Sequence, residues 1–312
     1  MHLRSFRILP ALLLSCLVAD SAWTDTLYQS MQKNYQSYQD ARLQDATLLP
    51  FDLTSSEKRV GGVSEASVRF LISDVDYDLF VSRLSIAAEW CEFIPLHLNI
   101  KACAPVIRGD NEYLQFYAGI KGYLNPKQAS LLELKFKTEM KEDVFVVDLY
   151  AASGPYRSTD INFDLRAIQV EQGIYLEFDL SSIPGVAAQL AKIYLATVAR
   201  KKIGFSVVGK TWTGKDKYVG GQRGATERNI VRYLLAIETY FSTLDVPLDE
   251  QYDRRLEKWF DATEQFAAQL NEMSKAEYLD IKRRERRNQT LLHEALAMNV
   301  NPVYEPEVEK QQ

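Results

Sequence analysis

The 312-residue chain has little of several things that would assign a function at once. It holds three cysteines and three histidines. No H-E-x-x-H pattern, no G-x-S-x-G turn and no G-x-G-x-x-G after a strand is present. A serine hydrolase needs a histidine beside its nucleophile, and only His97 is placed to serve. Metal-dependent and hydrolytic chemistries are therefore poorly supported. Basic charge is not in excess. The 37 Lys+Arg face 42 Asp+Glu for a net −5, whereas a nucleic-acid binder carries a basic footprint. Gly and Pro number only 14 and 10, too few for a low-complexity or collagen-like chain. Past the N-terminus there is no run of about 20 apolar residues, which excludes a multi-span membrane protein. What remains, 46% hydrophobic and 25% charged, is globular, with chain enough for one or two domains.

Residues 1–22 read as a signal peptide. Arg4 and Arg7 precede an apolar stretch from Ile8 to Val18, and Ala19-Asp20-Ser21 offers a small-x-small cleavage site. The protein is expected to be exported, periplasmic or secreted, and soluble once cleaved. Leu13-Leu14-Ser15-Cys16 also resembles a lipoprotein box that would lipidate Cys16, although Leu14 stands where a small residue is usual. Cleavage removes Arg4, Arg7 and Asp20 and takes the net charge from −5 to −6. It leaves Cys91 and Cys103. Thiols oxidise outside the cytosol, so the pair is read as one disulfide, contributing roughly 3 kcal/mol through loop closure. The competing reading is a zinc site with His97 between them, for which no fourth ligand and no zinc spacing is present. No metal and no cofactor is expected.

Residues 23–60 form a Tyr- and Gln-rich tether or short helix, then an extended lead-in to Gly61-Gly62. Val68, Phe70 and Ile72 alternate as a strand, and Phe80, Leu84 and Ala88 have helical spacing up to Pro95. Strands are expected at 97–107, 113–120, 132–138, 144–151, 161–167 and 176–180. Their polar/apolar alternation suits an antiparallel sheet with one dry face. The residues predict a helix at 184–200, a further strand at 203–212, and a helix over 225–241 with an Ile230, Leu234, Ile237 and Phe241 stripe. Residues 248–312 read as a charged helical extension with a frayed tail. Its Lys282–Arg287 run suits a solvated helix face, or peripheral contact with a membrane of anionic phospholipid.

A strand, a helical pair, a meander of strands and a long amphipathic helix make an α+β order. It resembles the helix-grip fold of the START and Bet v 1-like (SRPBCC) superfamily over about residues 60–243. The resemblance implies a curved antiparallel sheet of about six to seven strands wrapping a long helix, in a domain spanning 61–247. It further implies a cavity between them for a hydrophobic small molecule or lipid. The superfamily has no universal catalytic motif, so no residue role transfers.

Two clusters are candidate sites. In an extended 97–103 segment, His97, Asn99, Lys101 and Cys103 share one face. They suit a polar head group or a proton transfer, or else a disulfide-pinned corner bonding local backbone. Arg223, Arg228 and Arg232 near a helix start suit a carboxylate or phosphate, or else salt bridges to Glu227 and strand acids. Phe136, Phe163 and Phe178 would supply apolar walls. Three functions follow: a carrier of an apolar or amphipathic ligand, a cyclase- or hydrolase-type enzyme in the same cavity, and an envelope interaction protein docking a protein partner through 250–312. Asn288-Gln-Thr290 fits a glycosylation pattern.

Overall fold

Period-two alternation over long stretches builds one large sheet, because each strand buries one face and wets the other. The computed structural model describes residues 25–57, 62–185 and 202–304. Its elements run α1 (Leu27–Gln44), β1 (Phe51–Glu57), β2 (Ser64–Ile72), α2 (Tyr77–Leu84), α3 (Ala87–Phe93), β3 (Ile100–Arg108), β4 (Asn111–Ala118), β5 (Ser130–Lys141), β6 (Val144–Ser153), β7 (Thr159–Val170) and β8 (Gly173–Ile183). A small ribbon follows, β9 (Val207–Lys210) and β10 (Asp216–Tyr218), then α4 (Gly221–Phe241), α5 (Leu248–Glu264), α6 (Ala267–Leu270) and α7 (Lys275–Ala297). The fold is α+β, with an eight-stranded antiparallel sheet ordered β1-β2-β8-β7-β6-β5-β4-β3.

Register aligns the apolar face across the strands. Phe136 pairs with Leu149, Leu149 with Phe163, and Phe163 with Leu180, while Leu165 pairs with Phe178 and Phe178 with Val68. The unbroken apolar run of β6 is explained by burial on both faces. Phe145, Val147 and Leu149 enter the main core, whereas Val144 and Val146 meet Met31 and Tyr38 of α1 on the other side. Thr26 and Gln29 start α1 with a reciprocal capping box. The N-terminal segment is thus a helix laid on the outer face of the sheet.

The structure differs from the sequence expectation in two places. The extended lead-in is a full strand, β1, and it raises the count to eight. Of the strand expected at 203–212, only Val207–Lys210 is extended, and it joins β10 in a ribbon apart from the sheet. Beside β2 the sheet edge is already occupied by β1, and β9 is exposed along its length. The helix expected at 184–200 lies almost wholly outside the described residues.

The charged extension packs into the same core as the sheet. Leu256, Trp259, Phe260, Leu270 and Tyr278 belong to one apolar cluster with Phe163 and Ile237. Trp259 Nε1 donates to Arg232 O at 3.1 Å. With the sheet beneath and α5 above, α4 is buried on opposite sides, which is why it lacks a wide polar face.

Candidate functional site

The first cluster is a corner between α3 and β3. Pro95 ends the helix in a short 3-10 turn, and His97 follows it outside the strand, which begins at Ile100. A bulge between Ile100 and Ala102 then shifts the register. The common face expected for residues 97–103 therefore does not form. The Cys91–Cys103 disulfide, with Cα atoms 5.0 Å apart, ties α3 to β3. The zinc alternative is overturned, since both sulfurs are bonded to each other.

His97 is 1% exposed. Its ring stacks on Tyr233 with centroids 4.6 Å apart, and Nδ1 accepts the Asn99 N–H at 3.1 Å. The proton then sits on Nε2, which has no partner in good hydrogen-bond geometry although the Asn229 side chain lies alongside. Burial first, then the charges of Arg232 and Lys282, hold the imidazole well below its ordinary pKa, so it is neutral. Asn99 exchanges two hydrogen bonds with the backbone of Gly119, at 2.7 and 2.8 Å.

Lys101 is fully buried and donates to Leu98 O, Gly122 O and Glu285 Oε1 at 2.7, 2.9 and 2.9 Å. Lys282, also fully buried, donates to His97 O, Ile100 O and Glu285 Oε2 at 2.9, 2.8 and 2.7 Å. One carboxylate thus bridges two ammonium groups, and each ammonium has three acceptors, all that it can use. Burial drives both lysine pKa values down against the pull of Glu285, that of Lys282 to about 8. Further along α7, Gln289 accepts from Cys103 N at 2.8 Å and His293 Nε2 lies 2.7 Å from Cys103 O. The helix therefore covers the free edge of β3 with side-chain hydrogen bonds.

The sequence reading missed Lys282, Glu285 and Gln289 as members of this corner. Their spacing with Tyr278 and Leu292 marks a single helix face, but lysine and glutamate there read as solvated. The rest of the basic run is also engaged. Arg283 pairs with Asp253 at 2.8 Å, Arg286 holds Glu92 at 2.8 Å, and Arg284 lies 3.8 Å over the Tyr123 ring. Asn288 is fully buried with Nδ2 on Tyr123 Oη at 2.9 Å, so the folded chain offers no glycan acceptor there.

The arginines of α4 do not converge on a common point. Arg223 donates to Ser55 Oγ at 2.7 Å. Arg228 donates to Ile203 O at 3.1 Å. Arg232 donates to Leu270 O and Glu272 Oε1 at 3.0 and 2.9 Å, and burial lowers its pKa to about 10. Glu272 also takes Lys202 at 3.0 Å and Lys121. Burial opposes its ionisation, but these cations prevail and hold its pKa below the usual range. Glu227 accepts from Phe205 N and Ser206 N at 2.7 and 3.0 Å. Gly204 permits this approach, because a Cβ there would stand 2.5 Å from Glu227 Oε2.

Phe136, Phe163 and Phe178 lie where the expected cavity would be. They are 5%, 5% and 1% exposed, and Ile230, Leu234 and Ile237 opposite them are 0–2% exposed. A void of several hundred Å³ would leave accessible surface on its lining. Here Phe163 meets Tyr233, Phe116 and Phe178 at ring distances of 5.5, 6.3 and 6.4 Å. The space is filled by the protein's own side chains. An open groove of about 700 Å³ lies instead on the outer surface, between Tyr28, Gln32 and Tyr35 of α1 and Gln169–Glu171. No group of three or more metal-ligating side chains occurs among the described residues.

No family model matches the chain, and no curated protein matches it. Among solved structures it is similar to CalU16 from Micromonospora echinospora, at 11% identity, covering 68% of this chain and 95% of that one. The TM-score is 0.29, too remote a likeness to carry a fold or an activity across.

Proposed function

We propose that this chain is an exported, non-enzymatic protein of helix-grip type that works by binding at its surface, its interior serving as core. The strand order supports the helix-grip reading. The opening strand β2 lies beside β8, the last strand of the meander. Two short helices separate β2 from β3, and the long α4 follows the sheet and packs against β2, β1 and β8. The β9–β10 ribbon falls between the sheet and that helix. The additions are β1 at one edge and the C-terminal helices.

One observation carries the functional reading. The place where such a fold would hold a ligand is occupied by Phe136, Phe163, Phe178 and Tyr233, all buried. The titratable groups nearest to it, His97, Lys101, Lys282 and Glu285, are sealed from solvent, so no substrate reaches a proton donor or acceptor there.

Native mass spectrometry of protein purified from its own source cells tests this, together with Phe163→Ala as a cavity-forming control. The wild type should carry the mass of the processed chain alone, and only the alanine variant should take up benzene. An apolar molecule released stoichiometrically from the wild type would overturn the reading in favour of a carrier.

A further inference from the structure

Trp212 is 98% exposed, at the tip of the β9–β10 ribbon. Trp90 and Trp259 are buried at 1% each. A fully wet indole is uncommon enough to need a reason, since it leaves a large apolar ring in water.

The ribbon is built to hold it out. Its base is fixed by Glu227 on the backbone of Phe205 and Ser206, and by Val219 N donating to Ser206 O at 2.9 Å. Phe205 is wedged between Phe51 and Phe266, with ring distances of 5.7 Å to each. The tip is a closed turn. Thr211 N donates to Lys215 O at 2.7 Å, Gly214 N to Thr211 O at 2.9 Å, and Lys215 N to Thr211 Oγ1 at 3.1 Å. Gly214, at φ +81, supplies the left-handed residue that closes it. The indole therefore projects from an ordered support.

The surroundings state the partner's chemistry. Val207 and Val208 add half-exposed apolar surface. Lys210, Lys215 and Lys217 bracket the tip, and Asp216 is engaged with Lys210. Among the described residues no acid pairs with Lys215 or Lys217. An aromatic tip flanked by lysines fits the interface of an anionic lipid surface, where indole sits at headgroup depth and ammonium groups meet phosphate.

We infer that the β9–β10 ribbon is a membrane-contact element, with Trp212 entering the headgroup layer and Lys215 and Lys217 attracting anionic lipid. This deepens the surface-binding reading and rests on it. It also moves the membrane contact away from the Lys282–Arg287 run, whose cations are engaged within the protein.

The test uses the full processed chain and phosphatidylcholine vesicles with and without phosphatidylglycerol. Co-sedimentation is read together with quenching of tryptophan emission by brominated lipid, in a Trp23→Phe background so that only Trp212 and the buried Trp90 and Trp259 emit. Binding should require phosphatidylglycerol and weaken with salt. Trp212→Ala should weaken it about tenfold or more, and Lys215→Glu/Lys217→Glu should remove most of its salt dependence. Far-UV circular dichroism should be unchanged, because neither change touches the core. Binding by Trp212→Ala equal to wild type, or no binding of folded wild type to anionic vesicles, would overturn the inference. The latter would point to a protein partner for the ribbon. Neither result touches the filled interior, which the mass measurement tests separately.

Discussion

Glu285→Gln keeps the shape of the side chain and removes the one negative charge between two enclosed ammonium groups. Lys101 and Lys282 lose carboxylate contacts at 2.9 and 2.7 Å, and neither has solvent to turn to, since both are fully buried. A hydrogen bond to a charged group contributes roughly 1.5–3 kcal/mol, and breaking a buried ion pair costs roughly 3–5 kcal/mol. The expected loss at pH 7 is therefore about 4 kcal/mol of a total of roughly 5–15. It should shrink at about pH 9. Burial already holds Lys282 at about 8, and losing the carboxylate lowers both lysines further. The unfolded chain then binds protons that the folded variant has released, so the variant gains stability as pH rises. Urea unfolding followed by emission of the buried Trp90 and Trp259 reads the difference. Lys101→Met/Lys282→Met/Glu285→Leu should be more stable than Glu285→Gln, because it leaves no enclosed charge. A loss below about 1 kcal/mol at pH 7, or one equal at both pH values, would refute the reasoning.

Three further outcomes follow from the same geometry. His97 is enclosed as a neutral ring with its pKa held well below the ordinary 6.5, so the unfolded chain takes up a proton that the folded one refuses. Stability should fall below about pH 6.5 by up to about 1.4 kcal/mol per unit; His97→Gln should flatten that limb in thermal unfolding, and an unchanged profile would exclude His97 as its source. Asp164 behaves with the opposite sign. Burial, then its hydrogen bond and repulsion with Asp148, raise it to about 6 from 3.8, so the folded state keeps a proton that the unfolded chain has lost. Its stabilising effect is present in acid and lost as pH rises through 6; Asp164→Asn should gain about 1 kcal/mol at pH 7, the figure being discounted for partial exposure, and urea titrations showing no gain would exclude the carboxyl pair. Cys91→Ala/Cys103→Ala opens the loop of 12-residue separation and should cost about 3 kcal/mol, measured by urea unfolding; reduction of the wild type should match it.

Most of the sheet was legible because alternation is local. Val68-Phe70-Ile72 and Leu132-Leu134-Phe136 announce a strand and its buried face without reference to any partner. The disulfide was legible for a related reason, since two cysteines left in a chain read as exported have few alternatives. The site was not. His97, Asn99 and Lys101 were expected on one face because the residues permit an extended segment, and the turn at Pro95 with the bulge at Ile100/Ala102 breaks that face. The arginines of α4 were expected near a helix start; the helix begins at Gly221 and places Arg232 in its middle, and nothing local says that Ile203 O, Leu270 O and Glu272 would occupy Arg228 and Arg232.

What the sequence determined by itself is the set of elements: the antiparallel strands with their dry faces, the amphipathic helices and the cysteine pair. These follow from periodicity and residue chemistry within a few positions. Only the tertiary structure decided that the charged extension belongs to the core, that Lys282 and Glu285 are enclosed, that the interior is filled, and that Trp212 stands in water. Each depends on contacts between residues far apart in the chain. Glu285 meets Lys101 across 184 positions, and whether a lysine is solvated or buried is a property of what packs over it.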